Sequence, residues 1–191
     1  MGWMPRSTTQ PIDPLFLRRW SPRAMSGAPL TRAQLFPLLE AARWAPSGGN
    51  GQPWRFAFAL AGTPHFERFL DTLVPGNREW CVRAGALVLV CAKVVRDDGK
   101  SSPTAPFDAG AAWMSLALQG TLSGLVVHAM AGYDKEAARA AAALPAGLEP
   151  QAMVAVGHPG RVEELPEKLR AREVPSDRLP LEALVAEGRF G

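Results

Sequence analysis

The apolar residues of this chain change their spacing several times, and each change marks an element. Residues 15–19, LFLRR, begin a short helix that must stop near Ser21, because Pro22 disfavours helical geometry in the residue before it. Leu35, Leu38, Leu39 and Ala42 then recur at i, i+3, i+4 and i+7, and Thr31 and Gln34 have capping-box spacing. A helix is therefore predicted over 32–44, bent in its first turns by Pro37. From Trp54 the period becomes two, with Phe56, Phe58 and Leu60 on one side, which is a strand with one buried face. Gly62 turns the chain, and Thr63 with Pro64 caps a short helix to about Leu73. Residues 74–80, VPGNREW, read as a loop with an exposed Trp and as a candidate lid.

The run AGALVLVCAKVV at 84–95 is apolar without interruption and rich in β-branched residues, which predicts a buried central strand. After a polar, Pro-containing loop at 96–107, Asp108 is expected to cap a long apolar helix ending near Gly124. Residues 125–130 read as a strand, and Asp134 caps the helix KEAARAAAAL. QAMVAVG at 151–157 is a further buried strand. The two ends keep no period. Residues 1–14 read as an arm without a fixed core contact, and 161–191 as a tail that wanders or wraps a partner subunit.

Composition bounds the function. At 191 residues, 47% hydrophobic and 20% charged, the chain is a single globular domain with one core. A net charge of +3 falls short of the basic face of a nucleic-acid binder. Cys81 and Cys91 lie ten positions apart without a CxxC, as buried thiols of a reducing compartment do. His65, His128 and His158 have no acidic or Cys neighbour at metal-ligand spacing, so no metal site is expected. MGWMPRSTTQ has no apolar core of a secretory signal, and the expected location is cytoplasmic. The uncharged stretch 109–133 is long enough to span a bilayer, yet Gln119, Thr121, Ser123, His128 and the break at Gly124 favour a helix buried in a subunit interface.

Two stretches carry the chemistry. Ser47 to Gly51 has almost no side-chain bulk, so its backbone can take positive φ and approach a ligand closely, while Asn50 and Gln52 supply amides for the mixed edge of a flat heterocycle. Arg19, Ser21 and Arg23 sit at a helix end and turn, where guanidinium forks and a hydroxyl can converge on a phosphate; a solvated basic turn would have the same composition. No Lys-Ser or Lys-Thr follows the glycines, a helix precedes them and a strand follows, and Ser47 lacks a GxSxG elbow. Walker, Rossmann and serine-hydrolase readings therefore fail. Donors for a ring and a phosphate without an acid, base, nucleophile or metal point to a cofactor that carries the reaction.

These residues resemble the FMN-dependent nitroreductases. RWSPR at 19–23 resembles that family's Arg-x-Ser-x-Arg/Lys element, EAARWAPSGGNGQPWRF at 40–56 its Pro-Ser-x-x-Asn-x-Gln-Pro-Trp segment, AGYD at 131–134 its Glu-Gly-Phe-Asp turn, and PSDRLPLEALV at 175–185 its closing basic element. The resemblance spans residues 15–185 and implies an α+β sandwich, a central mixed sheet flanked by helices. It also implies a homodimer that exchanges its C-terminal extension and holds two FMN sites at the interface. By position it implies that Arg19, Trp20, Ser21, Arg23 and Arg178 serve the phosphate and ribityl chain, and that Asn50 and Gln52 face the ring above Pro46 and Ser47. The backbone of Ala131 and Gly132 would lie near the reactive edge. The implied activity is ping-pong hydride transfer from NADH or NADPH through FMN to a nitroaromatic, quinone or similar small acceptor. This chain departs from the family in having Ala131 where an acidic residue is frequent and Ser176 where a second basic residue can occur. A flavin-binding storage or sensing protein without turnover is the alternative, and a basic nucleic-acid adaptor a more distant one.

Overall fold

The structure is a computed structural model that describes residues 6–189. Asp13 caps α1 (Pro14–Arg18), accepting the N–H of Leu15, and Pro14 stands where its missing N–H costs nothing. In α2 (Arg32–Arg43) Thr31 and Gln34 form the reciprocal capping box, and Leu35, Leu38 and Ala42 face inward. The Gly-rich turn at 48–50 leads into β1 (Trp54–Leu60). Then come α3 (Pro64–Asp71), α4 (Pro75–Cys81) and β2 (Ala86–Lys93). The long α5 (Ala105–Leu122), β3 (Val126–Met130), α6 (Lys135–Ala141), β4 (Leu148–Gly157) and the short α7 (Glu167–Arg170) complete the order.

The four strands form one sheet in the order β1-β2-β4-β3. Every pairing is antiparallel, so the expected mixed sheet is corrected. β2 is apolar on both faces, as a parallel strand would be, because helices cover both sides. Leu87, Leu89 and Cys91 point into one core with Phe66, Phe69, Leu70 and Trp80 from α3 and α4. Ala86, Val88, Val90 and Ala92 point into the other with Leu35, Leu38, Ala109, Ala112 and Leu116 from α2 and α5. The register of β2 against β4 shifts between Val90 and Cys91, where Pro150 enters the pairing. A residue with no N–H to donate is tolerated at such an irregularity. Gly120 lets α5 pack tightly, since a Cβ there would sit 2.3 Å from Val127 Cγ2.

Three local expectations change. Residues 74–80 are not a lid: Pro75 starts α4, and Trp80 is 1% exposed in the core, its ring 4.7 Å from that of His128. Burying the indole outweighs the loop-like look of Pro-Gly-Asn, since Pro fits the first turn of a helix. Asp108 is not the cap of α5, which starts earlier at Thr104, leaving Asp108 buried in the first turn. Residues 1–5 of the expected arm and 190–191 of the tail lie outside the described residues; the described parts of both ends hold more firmly to the body than their composition predicts. Arg6 donates to the carbonyls of Leu17 and Arg19, at 3.2 and 2.9 Å. In the tail Leu165, Leu169 and Glu173 are buried, whereas Leu179, Leu181, Leu184 and Val185 are exposed.

Candidate functional site

The turn after α1 is the first half of the site. Helix α1 is capped at its C-terminus by Arg19, and the 19–23 turn passes the middle of β3, where His128 hydrogen-bonds the Pro22 carbonyl at 2.9 Å through Nδ1. A carbonyl only accepts, so Nδ1 carries the proton of the imidazole. Burial pushes His128 down to about 4; the Arg23 and Arg19 charges add to the fall, and the Pro22 and Ser21 carbonyls oppose it. The imidazole is thus neutral at ordinary pH.

Around this turn the chain builds a cavity of about 330 Å³. Arg19, Trp20, Ser21, Arg23 and Arg178 line it, as the resemblance implies, and Arg6, His128, Arg172, Val174 and Ser176 complete it. No carboxylate is among its lining residues. Burial lowers the Arg19 guanidinium below its ordinary range, and the charges of Arg178 and Arg6 lower it further. Arg6 is lowered by burial and then by Arg178, with Asp177 opposing. The guanidiniums thus repel one another across a partly desolvated space, the setting in which a bound anion relieves most electrostatic cost. Glu173 approaches from behind the wall: its Oε2 lies 3.9 Å from Arg23 Nη1, and its Oε1 accepts the N–H groups of Arg23 and Ala24.

The second half is the glycine-rich loop. Pro46 is exposed and Ser47 half-buried, and Ser47 ties the loop at its base by accepting the N–H of Gln52 at 3.0 Å. Gly49, Asn50 and Gln52 have φ of +57°, +55° and +45°. Two non-glycine residues in the left-handed region within three positions are unusual, and such backbone clusters at ligand sites. Gly51 has an ordinary negative φ, so only part of the run uses the freedom expected of it. Asp108 accepts the N–H of Gly48 at 3.3 Å and the Thr104 hydroxyl at 3.4 Å, anchoring the loop to α5. The Gln52 side-chain amide donates back to the Asn50 carbonyl at 3.2 Å, while Asn50 itself is exposed.

The loop borders a cavity of about 620 Å³, whose far side carries Lys93 and Arg96. This cavity and the arginine cavity share no lining residue. Ala131 and Gly132 line neither. The Gly132 carbonyl instead accepts from Val74 and from Asn77 Nδ2, at 3.1 and 3.0 Å, and a Cβ at Gly132 would meet Asn77 at 2.6 Å. Packing against α4 thus requires glycine there.

The residues that sequence reasoning missed were added by distant chain. Arg6 lay in a segment read as a loose arm. In the tail Arg172 and Val174 were missed; with Ser176 and with Arg178, which the resemblance already assigns to the phosphate, they alternate at a period of two that predicts one shared face but not what it faces. Cys81 and Cys91 are buried and free. Among the described residues no group of three or more His, Cys, Asp or Glu side chains could hold a metal ion. No helix among them is long and apolar enough to cross a membrane.

Comparison with known proteins gives a consistent result. Residues 17–63, which contain both the Arg19–Arg23 turn and the glycine-rich loop, match the model of the Nitroreductase family. An uncharacterised 15.4 kDa protein of Mycolicibacterium smegmatis is 41% identical over 137 residues, covering 70% of this chain and 89% of that protein. A solved oxidoreductase containing FMN superposes with a TM-score of 0.94 at 41% identity, covering 100% of this chain and 99% of the other. A protein from Desulfovibrio desulfuricans, assigned as a nitroreductase and solved in complex with FMN, superposes with a TM-score of 0.72 at 26% identity, covering 96% and 100%.

Proposed function

This chain belongs to the nitroreductase family, and on that premise we propose that it is an FMN-dependent NAD(P)H oxidoreductase. It reduces nitroaromatic, quinone or similar small acceptors in a ping-pong cycle. The observation that carries the reading is the arginine cavity: guanidiniums that depress one another, with no carboxylate in the lining, fit a phosphate monoester of about two negative charges. Bound FMN supplies the hydride chemistry.

The chain's own residues do the rest. Arg19, Arg23 and Arg178 with the Ser21 hydroxyl hold the phosphate, Trp20 walls the ribityl chain, and Arg6 and Arg172 add charge at the rim. Neutral His128 braces the turn through Pro22. In the loop, Pro46 and Ser47 shape the cradle, and Asn50 and Gln52 present amides to the polar edge of the ring. The Ala131 and Gly132 backbone, which lines neither cavity on one chain, would serve its reactive edge. Fixed donors of this kind stabilise charge that develops on the ring without reorganising.

The protein works as a homodimer in the cytoplasm. Because the two halves of the site border separate cavities on one chain, a second copy unites them by setting its loop against the first copy's arginines. The outer side of α5 supports this. Phe107 is 81% exposed and Leu122 60%, and the partly exposed Ala111, Met114 and Leu118 continue the stripe between them. An apolar stripe of that length on a helix without basic residues fits burial against another copy.

The decisive experiment is an absorbance spectrum of the purified protein followed by anaerobic titration with NADH and with NADPH. We expect blue and near-ultraviolet flavin bands that bleach with one or both. A colourless protein that gains no thermal stability from FMN overturns the reading, and flavin that neither nicotinamide reduces leaves a binding protein without turnover. Sedimentation equilibrium is expected to give the mass of two chains; a monomer that nonetheless binds FMN fully removes the shared-site arrangement.

A further inference from the structure

We propose that Glu173 is the positioning residue that assembles the arginine cavity, fixing the Arg23 turn and the tail wall to each other through one buried carboxylate; this rests on the phosphate role given above to that cavity. Residues 172, 174, 176 and 178 line the cavity, at alternate positions along the tail as it leaves the turn after α7. Residue 173 lies between them and points the other way, into the body of the protein, where Glu173 is 6% exposed. There Oε1 accepts two consecutive backbone N–H groups, of Arg23 at 2.6 Å and of Ala24 at 2.7 Å, across about 150 residues of sequence.

Both hydrogen bonds are charge-assisted, that of Ala24 buried and that of Arg23 partly buried, so removing the carboxylate leaves two N–H groups without an acceptor. Those N–H groups belong to the residue that carries the Arg23 guanidinium and to its neighbour. One side chain therefore sets the direction of Arg23 and also holds Arg172 and Arg178 opposite it. Because Oε1 binds the backbone, the carboxylate stays beyond hydrogen-bond length of the guanidinium, with Oε2 and Arg23 Nη1 3.9 Å apart. Oε2 itself is buried without a hydrogen-bond partner, held by the Arg23 charge alone. The element containing Arg23, already held by His128 at the Pro22 carbonyl and by the Gly160 N–H at the Ala24 carbonyl, is thereby tied to the docked tail as well. Buried Leu165 and Leu169 deliver the tail to that point, and Glu173 completes the attachment.

The test compares full-length wild type with Glu173→Ala and Glu173→Gln. It measures affinity for FMN and for riboflavin, and the rate of tryptic cleavage after Arg172 and Arg178 with and without inorganic phosphate. In the Ala variant FMN affinity is expected to fall on the order of thirty-fold and riboflavin affinity less than about threefold, with tail cleavage accelerated about tenfold. Gln keeps an acceptor oxygen for the two N–H groups and is expected to recover most of the loss. A merely structural role would lower both flavins together and would not be rescued by Gln; that pattern, or unchanged affinity and cleavage in the Ala variant, overturns the proposal. Should the Ala variant fail to fold, the Gln variant decides. A fall of about threefold in its FMN-to-riboflavin preference supports positioning, and an unchanged preference with unchanged cleavage overturns it. Wild type that binds neither flavin would end the oxidoreductase reading alone. Phosphate protection of the tail, present in wild type, lost in the Ala variant and largely kept in the Gln variant, would still support the assembly role.

Discussion

The arginine cavity and the glycine-rich loop are built in opposite ways. The loop is local: seven consecutive residues, Pro46 to Gln52, make it, and hydrogen bonds from Gln52 to Ser47 and from Gly51 to Gly48 close it on itself. The cavity is composite, drawing Arg6, the 19–23 turn, His128 and residues 172–178 from four separated stretches. The loop carries conformational strain and little charge, whereas the cavity carries charge and little strain. Each is pinned by one buried carboxylate that accepts backbone N–H, Asp108 for the loop and Glu173 for the cavity. On the function proposed above, the loop would lie flat against a ring, which takes unusual φ, and the cavity would hold a dianion, which takes converging donors that only tertiary contacts can gather.

The largest expected contrast is in response to pH, because the cavity is lined by the His128 imidazole while residues 46–52 carry no titratable side chain. His128 is held neutral by burial, with its folded value about 4 against an ordinary 6.5. The unfolded chain therefore binds a proton in that interval that the folded chain refuses. Its contribution to stability is full above pH 6.5 and is lost as pH falls toward 4, on the order of 3 kcal/mol, or roughly 6–12 °C in thermal midpoint. A thermal scan from pH 7 to pH 4 should show this fall, and His128→Asn should flatten it. An unchanged profile in the variant places the titration elsewhere.

Next in size is Arg23→Ala, which should lower FMN affinity by about 2 kcal/mol, roughly thirty-fold, and leave riboflavin nearly unaffected, since only FMN has the phosphate. Equal losses measured by fluorescence titration would dissolve the division between a phosphate half and a ring half. Asp108→Asn tests the other side. It keeps an oxygen for the Gly48 N–H but not its charge, so FMN and riboflavin affinity should fall together, by about 1 kcal/mol. A loss confined to FMN would move Asp108 to the phosphate side of the comparison.

The smallest effect separates strain from chemistry in the loop. Asn50 sits at φ +55°, where Ala costs on the order of 1 kcal/mol and Gly nothing, yet both remove the amide. Denaturant unfolding should show Asn50→Ala less stable than Asn50→Gly by about that amount. Both should weaken flavin retention or shift its reduction potential. Unchanged flavin affinity and reduction rate in both variants would take the Asn50 side chain out of the site.

Much of this was legible before folding. The capping box at Thr31 and Gln34, the alternation from Trp54 to Leu60 and the cap at Asp134 are readable because each is set by residues within a few positions of one another. Residues 74–80 misled because Pro-Gly-Asn looks the same at the start of a helix as in a loop, and only the burial of Trp80 against His128 distinguishes them. Arg6 and Glu173 were invisible for the same kind of reason: each acts on backbone that lies 11 or more positions away along the chain.

By itself the sequence determined most of the elements and several of their caps, though not α4 or the start of α5, together with a loop free to turn left-handed and a basic turn, since these depend on side-chain sterics and hydrogen bonds between near neighbours. Only the tertiary structure decided that the sheet is antiparallel throughout, that the tail turns Glu173 inward, and that five arginines face one space. Those outcomes depend on which distant surfaces exclude water together, and burial of that kind leaves no local mark on the chain.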